Sequence, residues 1–433
     1  MVQNLQIKKL ENYFGLLLIL MGGGILLFGA DIQITSDGHV RYDALMNFIN
    51  NGQLQPMKFS YIGPIFSTPL YYAGIEIKYF NIIILFITLI FSAFIMKDVF
   101  SSEFIMKFIL LTLVGSMFTA NTRDFFSETF SASTLFVGIL LLVLNKYKVL
   151  SVLLVSLAVA NNTVLIVPVS LITLYFIFKE RKVGYVFYVL SPILIIALEN
   201  FLKYGSLLNQ GYSNDHGFQT LMPYSGLPDF SYPLFFGILS ILFSFGKGLV
   251  FFTPAIFLQV HFDIKEKSIK AIYIISAIVG ISLILIYSKW WAWYGGTCWG
   301  PRFFLFLSFM NSFVLAFFLT KSSINYSVKK VFWIVLVLLL SLYVGYNGHI
   351  FEHSWFAICG KDSYAWEPLH WYTPEYSILW YPFVFTDFFS KEYNQMLFIY
   401  YIATFVYLLK TFLAEHLSLI VQTIYAKFNE GKK

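Results

Sequence analysis

The acidic residue Asp37 follows the first long apolar run, in the sequence SDGHVRYD at 36–43. Ser36 fits the N-cap of a short helix that ends near Gly52. A carboxylate held at this point could accept a proton from a substrate hydroxyl as a general base. Asp37 could instead complement the helix N-terminus and pair with Arg41 one turn later. Spacing alone favours this second, structural interpretation.

The most unusual stretch of the chain is KWWAWYGGTCWGPR at 289–302. Its Trp and Tyr residues would suit an aromatic belt at a membrane boundary, but a belt needs no Gly-Gly, Gly-Pro or terminal Arg. Glycines let the backbone approach a ligand closely, and Arg302 at a helix start can grip a phosphate through its planar guanidinium group. The stretch therefore predicts part of a binding site.

Other charged residues flank the apolar runs. Lys247 lies between two glycines in FGKGL at 245–249, and it is either a second phosphate contact or a snorkelling lysine. The sequence TRDFFSE at 122–128 places Arg123, Asp124 and Glu128 in a turn between two helices. These three charges form either an ordinary solvated turn with an internal ion pair or a polar wall of the cavity that receives Asp37.

The composition predicts that these residues are positioned by an all-α polytopic membrane protein. The chain is 58% hydrophobic and 12% charged, whereas soluble domains are roughly 25% charged. Apolar runs of about 20 residues, the length that crosses a hydrocarbon core, recur along the chain. We predict a single transmembrane domain over 1–433 with about twelve transmembrane helices, at 12–30, 79–97, 104–120, 132–145, 149–163, 164–178, 183–201, 248–262, 270–288, 303–320, 331–347 and 397–415.

The placement of Lys and Arg predicts the orientation. Most of the 29 basic residues flank alternate loops, and such loops are retained in the cytoplasm. We therefore expect a multi-pass protein of the cell inner membrane with both termini cytoplasmic and with the first apolar run retained as a signal anchor. The net charge of +6 then anchors the inner leaflet of the bilayer and does not indicate nucleic-acid binding.

The segments predicted to lie outside are 31–78, 121–131, 202–247, 289–302 and 348–396. The first of them should contain an interfacial helix whose apolar face comprises Val40, Ala44, Leu45, Phe48 and Ile49. A second feature of these segments is that they contain both cysteines of the chain, at positions 298 and 359. An oxidising compartment would permit a disulfide between them, and two unpaired thiols are the alternative.

Several functional classes are disfavoured. The chain has no Gly-rich phosphate loop, no metal-spaced His/Cys cluster and no βαβ nucleotide unit, so nucleotide-driven chemistry and a bound cofactor are not expected. It also lacks a six-plus-six repeat, and few charges fall inside the predicted spans. Both features are unfavourable for a secondary transporter.

At these residues the chain resembles the GT-C superfamily of polytopic glycosyltransferases, in particular bacterial members akin to protein O-mannosyltransferases and lipid A aminoarabinose transferases. The resemblance is one of layout across nearly the whole chain. Three local matches support it: SDGHVRY at 36–42, FGKGL at 245–249 followed by Pro254, and WYGG at 293–296 followed by WGPRF at 299–303. It implies an inverting enzyme that transfers a sugar from a polyprenyl-phosphate donor to a surface glycan, lipid or protein acceptor.

The resemblance also implies roles for individual residues. Asp37 matches the catalytic acidic position, where it would deprotonate an acceptor hydroxyl. Arg302 would stabilise the departing phosphate, with Lys247, Arg41 or Arg123 in support. Substrate-binding roles would then go to Asp124, Glu128, Trp293, Tyr294 and Trp299.

Two departures from the family pattern narrow this expectation. Many relatives have Asp-Glu or Asp-x-Asp where this chain has Asp37-Gly38, so no metal is expected. Ala292 stands where oligosaccharyltransferases have an Asp in a Trp-Trp-Asp-Tyr-Gly motif, which argues against Asn-linked transfer. The alternative functions are a lipid-linked saccharide polymerase or ligase, and a flippase or transporter of a lipid-linked sugar.

The predicted orientation can be tested by labelling. In a chain whose two native cysteines are replaced by alanine, a cysteine at Gly52 or Lys361 should react with a membrane-impermeant maleimide in intact spheroplasts. A cysteine at Lys182 should react only after permeabilisation. Protection of both Gly52 and Lys361 positions in intact spheroplasts would contradict the topology.

Overall fold

The computed structural model describes residues 2–29, 32–209, 211–212, 216–258, 267–320, 327–357, 361–384 and 391–430. Within these ranges the chain forms α-helices and short 3-10 helices and no β-strand. The longer helices are α1 (Val2–Phe28), α2 (Ser36–Asn51), α3 (Phe80–Met96), α4 (Ser102–Val114), α5 (Ser127–Val143), α6 (Lys148–Asn161), α7 (Ile166–Glu180), α8 (Phe187–Tyr204), α9 (Leu234–Phe243), α10 (Lys267–Tyr287), α11 (Phe306–Thr320), α12 (Val328–Ile350), α13 (Glu367–Tyr372) and α14 (Glu392–Glu430).

Seven helical segments among the described residues are long and apolar enough to cross a membrane. They are Leu10–Phe28, Ile77–Met96, Thr163–Glu180, Val183–Tyr204, Lys267–Tyr287, Val328–Ile350 and Glu392–Ala414. Shorter apolar helices lie between them, at Ser127–Val143, Lys148–Asn161, Leu234–Phe243 and Phe306–Thr320. The structure is thus an all-helical protein with several membrane-like helices, and the number of twelve spans stays a prediction.

Two predicted spans are not continuous helices. The span at 104–120 is interrupted, because α4 ends at Val114 and a separate short helix covers Phe118–Asn121. The span at 248–262 begins with the short helix Leu249–Phe252 and continues as a 3-10 helix at Pro254–Phe257, while residues 259–262 lie outside the described ranges. Pro254 explains this break, since proline disfavours helical geometry in the residue before it.

The segment 202–247, which the sequence assigned to an outside loop, contains the apolar helix α9. This helix packs closely on the end of α10, because a Cβ atom built at Gly237 would lie 1.9 Å from the carbonyl oxygen of Ser288. The glycine therefore permits the contact between the two backbones. The sequence did not predict this helix, because it has only 10 residues and is flanked by loop residues.

The chain breaks between the spans predicted at 149–163 and 164–178, because α6 ends at Asn161 and α7 begins at Ile166. The buried Asn161 amide nitrogen donates to Ser127 O at 2.9 Å and to Ser131 Oγ at 2.8 Å. Its amide oxygen accepts from Gly63 N at 2.9 Å. One side chain therefore connects the end of α6 with α5 and with the loop after α2.

Helix α2 follows α1 directly and ends at the left-handed Gly52, as predicted. Its N-cap is Thr35 and not Ser36, and the buried face comprises Gly38, Arg41, Ala44 and Leu45. Val40, on the apolar face expected at the membrane interface, is 48% exposed in the protein fold, and the interfacial position of this face stays a prediction.

A buried lysine, Lys107, joins three helices through an ion pair within α4 and hydrogen bonds to two other helices. Lys107 on α4 is 1% exposed, and its ammonium group lies 2.7 Å from Glu103 Oε1. The same group donates to Leu319 O at 2.7 Å and to Thr411 Oγ1 at 2.9 Å. This lysine therefore joins α4, α11 and α14.

Replacing Lys107 by Met should destabilise the protein by about 3 kcal/mol, because it leaves Glu103 without its cationic partner. The apparent Tm of the purified protein in detergent measures this loss. Lys148→Met, at an exposed position, is the matched control and should leave Tm unchanged. An equal Tm for Lys107→Met and wild type would show that the ion pair contributes no stability.

Candidate functional site

An ion cluster lies where the starts of α2, α5 and α11 meet. The guanidinium of Arg302 contacts Asp37 Oδ2, and its Nε lies 3.7 Å from Glu128 Oε1. The Phe126 ring lies 4.3 Å from the guanidinium carbon. Arg302 is only 6% exposed, so two carboxylates and an aromatic face replace its water.

The turn at Asp124 fixes the position of Asp37. The Asp124 carboxylate accepts bonds from the backbone and hydroxyl of Thr35 and from Phe125 N at 2.7 Å. A Cβ atom at Gly38 would lie 2.5 Å from Asp124 Oδ1, so only glycine lets the helix start come this close. Asp124 therefore holds Asp37 in place indirectly, by binding Thr35 before it and packing against Gly38 after it.

A cavity of about 630 Å³ opens beside the ion cluster. Asp37, Glu128 and Arg302 line it, together with Arg41 and Tyr294. Further lining residues come from the ends of α6 and α8 and from the aromatic segment, among them Lys58, Phe59, Asn161, Glu199, Lys203, Trp290, Trp291, Gly295, Gly296 and Glu367. The cavity thus combines cations, carboxylates and aromatic rings.

Gly295 and Gly296 form part of the cavity wall with φ angles of 73° and 79°. These angles lie in the left-handed region, which glycine adopts without a Cβ clash. The predicted close approach of this backbone to a ligand-sized space is therefore present.

Arg41 differs from the other cations of the site. It is 6% exposed, and its guanidinium carbon lies 4.2 Å above the Phe59 ring. Its Nε and Nη1 atoms have no hydrogen-bond partner among the described residues. The pair between Asp37 and Arg41 that the spacing suggested is not formed there, because Asp37 pairs with Arg302. A buried cation without a partner favours the entry of an anion.

Asp37 and Glu367, two carboxyl groups that line the cavity, have different acidities. Burial opposes ionisation of Asp37, but the charges of Arg302 and Arg41 outweigh it and lower the pKa of Asp37. Burial raises the pKa of Glu367 to about 7, and the hydrogen bond from Tyr294 offsets burial only in part. Sequence reasoning missed Glu367, because no motif distinguishes it within the aromatic loop at 348–396.

Lys247 lies outside the cavity lining. It is fully buried, and its ammonium group donates to the carbonyl oxygens of Gly296 at 2.9 Å, Cys298 at 2.8 Å and Gly300 at 2.9 Å. Burial lowers the pKa of Lys247, and the Cys298 side chain partly offsets this effect. This lysine therefore binds the backbone of the Gly-rich loop and does not line the cavity.

Arg123 is likewise bound to the backbone. Its guanidinium donates to the carbonyl oxygens of Gly348, His349 and Phe351 at the end of α12. Half of the ten predicted site residues line the cavity, namely Asp37, Arg41, Glu128, Tyr294 and Arg302, whereas Arg123, Asp124, Lys247, Trp293 and Trp299 do not.

The aromatic residues divide between core and cavity. Trp293 and Trp299 are 2% and 1% exposed and belong to the hydrophobic core. Tyr294 lines the cavity and stacks on Trp371 with ring centroids 5.0 Å apart. Trp290 and Trp291, which belong to the stretch predicted to form part of a binding site, also line the cavity.

A second cavity of about 750 Å³ lies beyond the Asp124 turn. Arg123, Asp124 and His353 line it, and His353 Nε2 lies 4.0 Å from Asp124 Oδ2. Burial raises the pKa of Asp124 and lowers that of His353. Asp37 lines the first cavity and is not among the lining residues of the second.

The remaining predictions concern cysteine and metal. Cys298 has a free, buried thiol, and the predicted disulfide falls on Cys359, which lies outside the described residues. In the part of the chain that the structure describes, no group of three or more His, Cys, Asp or Glu side chains could hold a metal ion.

No protein family, curated protein or solved structure matches this chain. Any function for this chain must therefore be inferred from the chemistry that the residues of the site can perform.

The raised pKa of Glu367 predicts a pH-dependent stability. The folded protein binds this proton more tightly than the unfolded chain, so stability should fall as pH rises from about 4.5 to 7 and then level off. The effect is on the order of 3 kcal/mol across that interval. Thermal unfolding between pH 4 and 8 should show a shallower decline for Glu367→Gln than for wild type, and parallel curves would contradict the assignment.

Proposed function

We propose that this chain is an inverting glycosyltransferase of the GT-C type. It transfers a sugar from a polyprenyl-phosphate donor to an acceptor hydroxyl at the outer face of the cell inner membrane. The observation that carries the proposal is the unpaired, buried Arg41 guanidinium in the same cavity as the Asp37–Arg302 pair. This cavity offers a place for an anion beside a carboxylate that can accept a proton.

Arg41 is the main contact for the donor phosphate. Its Nε and Nη1 atoms are buried without a hydrogen-bond partner among the described residues, so the guanidinium would turn toward the cavity to bind two phosphate oxygens through its planar fork. Arg302 supplies positive charge nearby, but its contacts with Asp37 and Glu128 already neutralise much of it. The phosphate role expected of Arg302 therefore passes chiefly to Arg41.

Asp37 is the general base. Its lowered pKa keeps it ionised at neutral pH, and Arg302 orients the carboxylate. The acceptor hydroxyl gives its proton to Asp37 while its oxygen forms a bond to the anomeric carbon. The bond from that carbon to the phosphate oxygen breaks on the opposite face, and its electron pair leaves with the phosphate. Positive charge from Arg41 and Arg302 stabilises the departing group.

The sugar ring lies against the aromatic wall formed by Trp290, Trp291 and Tyr294. Indole faces offer apolar contact area for a sugar ring, and the buried Trp291 Nε1 has no hydrogen-bond partner in the described ranges. Glu367 on the same cavity surface provides a further polar contact. The feature that favours the transferase over the polymerase, ligase and flippase alternatives is the position of Asp37 beside Arg41 and Arg302 in one cavity.

Asp37→Asn should reduce sugar transfer by about 10²–10⁴-fold, because it removes the base while preserving side-chain size. Mass spectrometry of surface glycans and lipids from cells with and without each variant measures the transferred hexose or pentose. Asp43→Asn is the matched control, since Asp43 lies on the same helix, is 61% exposed and pairs with His39.

The sugar mass should be present with wild type and with Asp43→Asn and lost with Asp37→Asn. Transfer by Asp37→Asn within a few-fold of wild type would refute the catalytic role. A surface change that depends on the gene but not on Asp37 would favour the flippase alternative.

A further inference from the structure

A buried acid on α8 holds the segment that packs under Arg41. Glu199 is 8% exposed, and its Oε1 accepts from Tyr61 N at 2.7 Å while its Oε2 accepts from Ser60 Oγ at 2.8 Å. Both hydrogen bonds span more than 130 residues of sequence. Glu199 therefore fixes both the backbone and a side chain of the segment 57–61.

Two neighbours on the last turn of α8 strengthen this grip. Lys203 Nζ donates to Phe59 O at 3.1 Å and lies 3.4 Å from Glu199 Oε1. The Tyr204 hydroxyl donates to Met57 O at 2.7 Å. The end of α8 thus holds the segment 57–61 at four points, and two of them are backbone carbonyl groups.

The held segment determines where the Arg41 guanidinium lies. Phe59 is 8% exposed and lies between this grip and Arg41, whose guanidinium carbon is 4.2 Å from its ring centroid. No hydrogen bond holds the Nε and Nη1 atoms of Arg41 in the part of the structure described, so the aromatic face is the main lateral support that the geometry gives to this end of the side chain.

We propose that Glu199 and Lys203 are positioning residues for the donor phosphate, acting on Arg41 through the segment 57–61. The proposal rests on the proposed function in that it takes Arg41 as the phosphate contact. Glu199 and Lys203 line the same cavity as Arg41, so the residues that hold the segment 57–61 belong to the same site as the cation that this segment supports. The two residues control the affinity for the donor and not the transfer of the proton to Asp37.

Binding of farnesyl phosphate to the full-length protein in detergent, followed by tryptophan fluorescence, tests the proposal without requiring transfer. Arg41→Ala should weaken binding about 10–100-fold, as expected for the loss of hydrogen bonds to a charged group. Glu199→Ala should weaken it on the order of tenfold, by analogy with the removal of outer-shell residues that orient metal ligands. Glu199→Gln, which keeps an acceptor for Tyr61 N, should recover part of the affinity.

The double variant distinguishes positioning from general damage. If Glu199 acts through Arg41, adding Glu199→Ala to Arg41→Ala should change binding by less than about twofold. A purely structural effect would weaken both backgrounds equally. Tyr204→Phe, a milder change, should weaken binding in the wild-type background only, and it keeps the test valid if Glu199→Ala does not fold. Glu180→Ala, at the exposed end of α7, is the control and should bind as wild type does.

The outcomes separate this inference from the proposed function. Coupled losses at Arg41 and Glu199 without any sugar transfer would support the phosphate site and refute the transferase. Normal binding by Glu199→Ala beside weak binding by Arg41→Ala would overturn the positioning role alone. No binding of farnesyl phosphate by wild type, or full binding by Arg41→Ala, would overturn the inference.

Discussion

The contact of Arg302 with Asp37 and Glu128 is the constraint on which the site depends. A guanidinium that is 6% exposed has lost most of its hydration, and removing one anionic partner of a buried pair typically costs about 3–5 kcal/mol. The three charges come from the start of α2, the start of α5 and the residues before α11. The attraction of Arg302 for both carboxylates therefore holds three distant parts of the chain together, and the 630 Å³ cavity lies beside that junction.

The other cations near the junction differ in which groups of the protein accept their hydrogen bonds. Lys247 donates to three carbonyl groups of the Gly-rich loop, and Arg123 donates to three at the end of α12. Backbone carbonyls can stabilise such charges without a ligand. Arg41 has an aromatic face but no anion bonded to its Nε and Nη1 atoms within the described ranges. Among these three cations, Arg41 is therefore the one whose guanidinium keeps unused hydrogen-bonding capacity, although its charge also favours the ionised form of Asp37.

The sequence predicted the features that local physics decides. Hydropathy located most of the apolar helices, including the two on either side of the break after Asn161. The sequence also predicted that Asp37 and Arg302 lie in one site, because both flank helix ends at a common depth. It did not predict the separation of Lys247 from the cavity, since this depends on partners far along the chain. The break at Pro254 was readable locally, but a long apolar run obscured it.

The cavity places two carboxyl groups in unlike surroundings, and this asymmetry suits group transfer. Asp37 faces Arg302 and Arg41, so its charged form is favoured despite burial. Glu367 lies against Tyr294, and burial there raises its pKa to about 7, so near neutral pH it is divided between acid and carboxylate. Neighbouring charge thus makes one group a steady acceptor of a proton, and burial makes the other able to donate a hydrogen bond. Such a difference between two acids that line one cavity arises only from the folded environment.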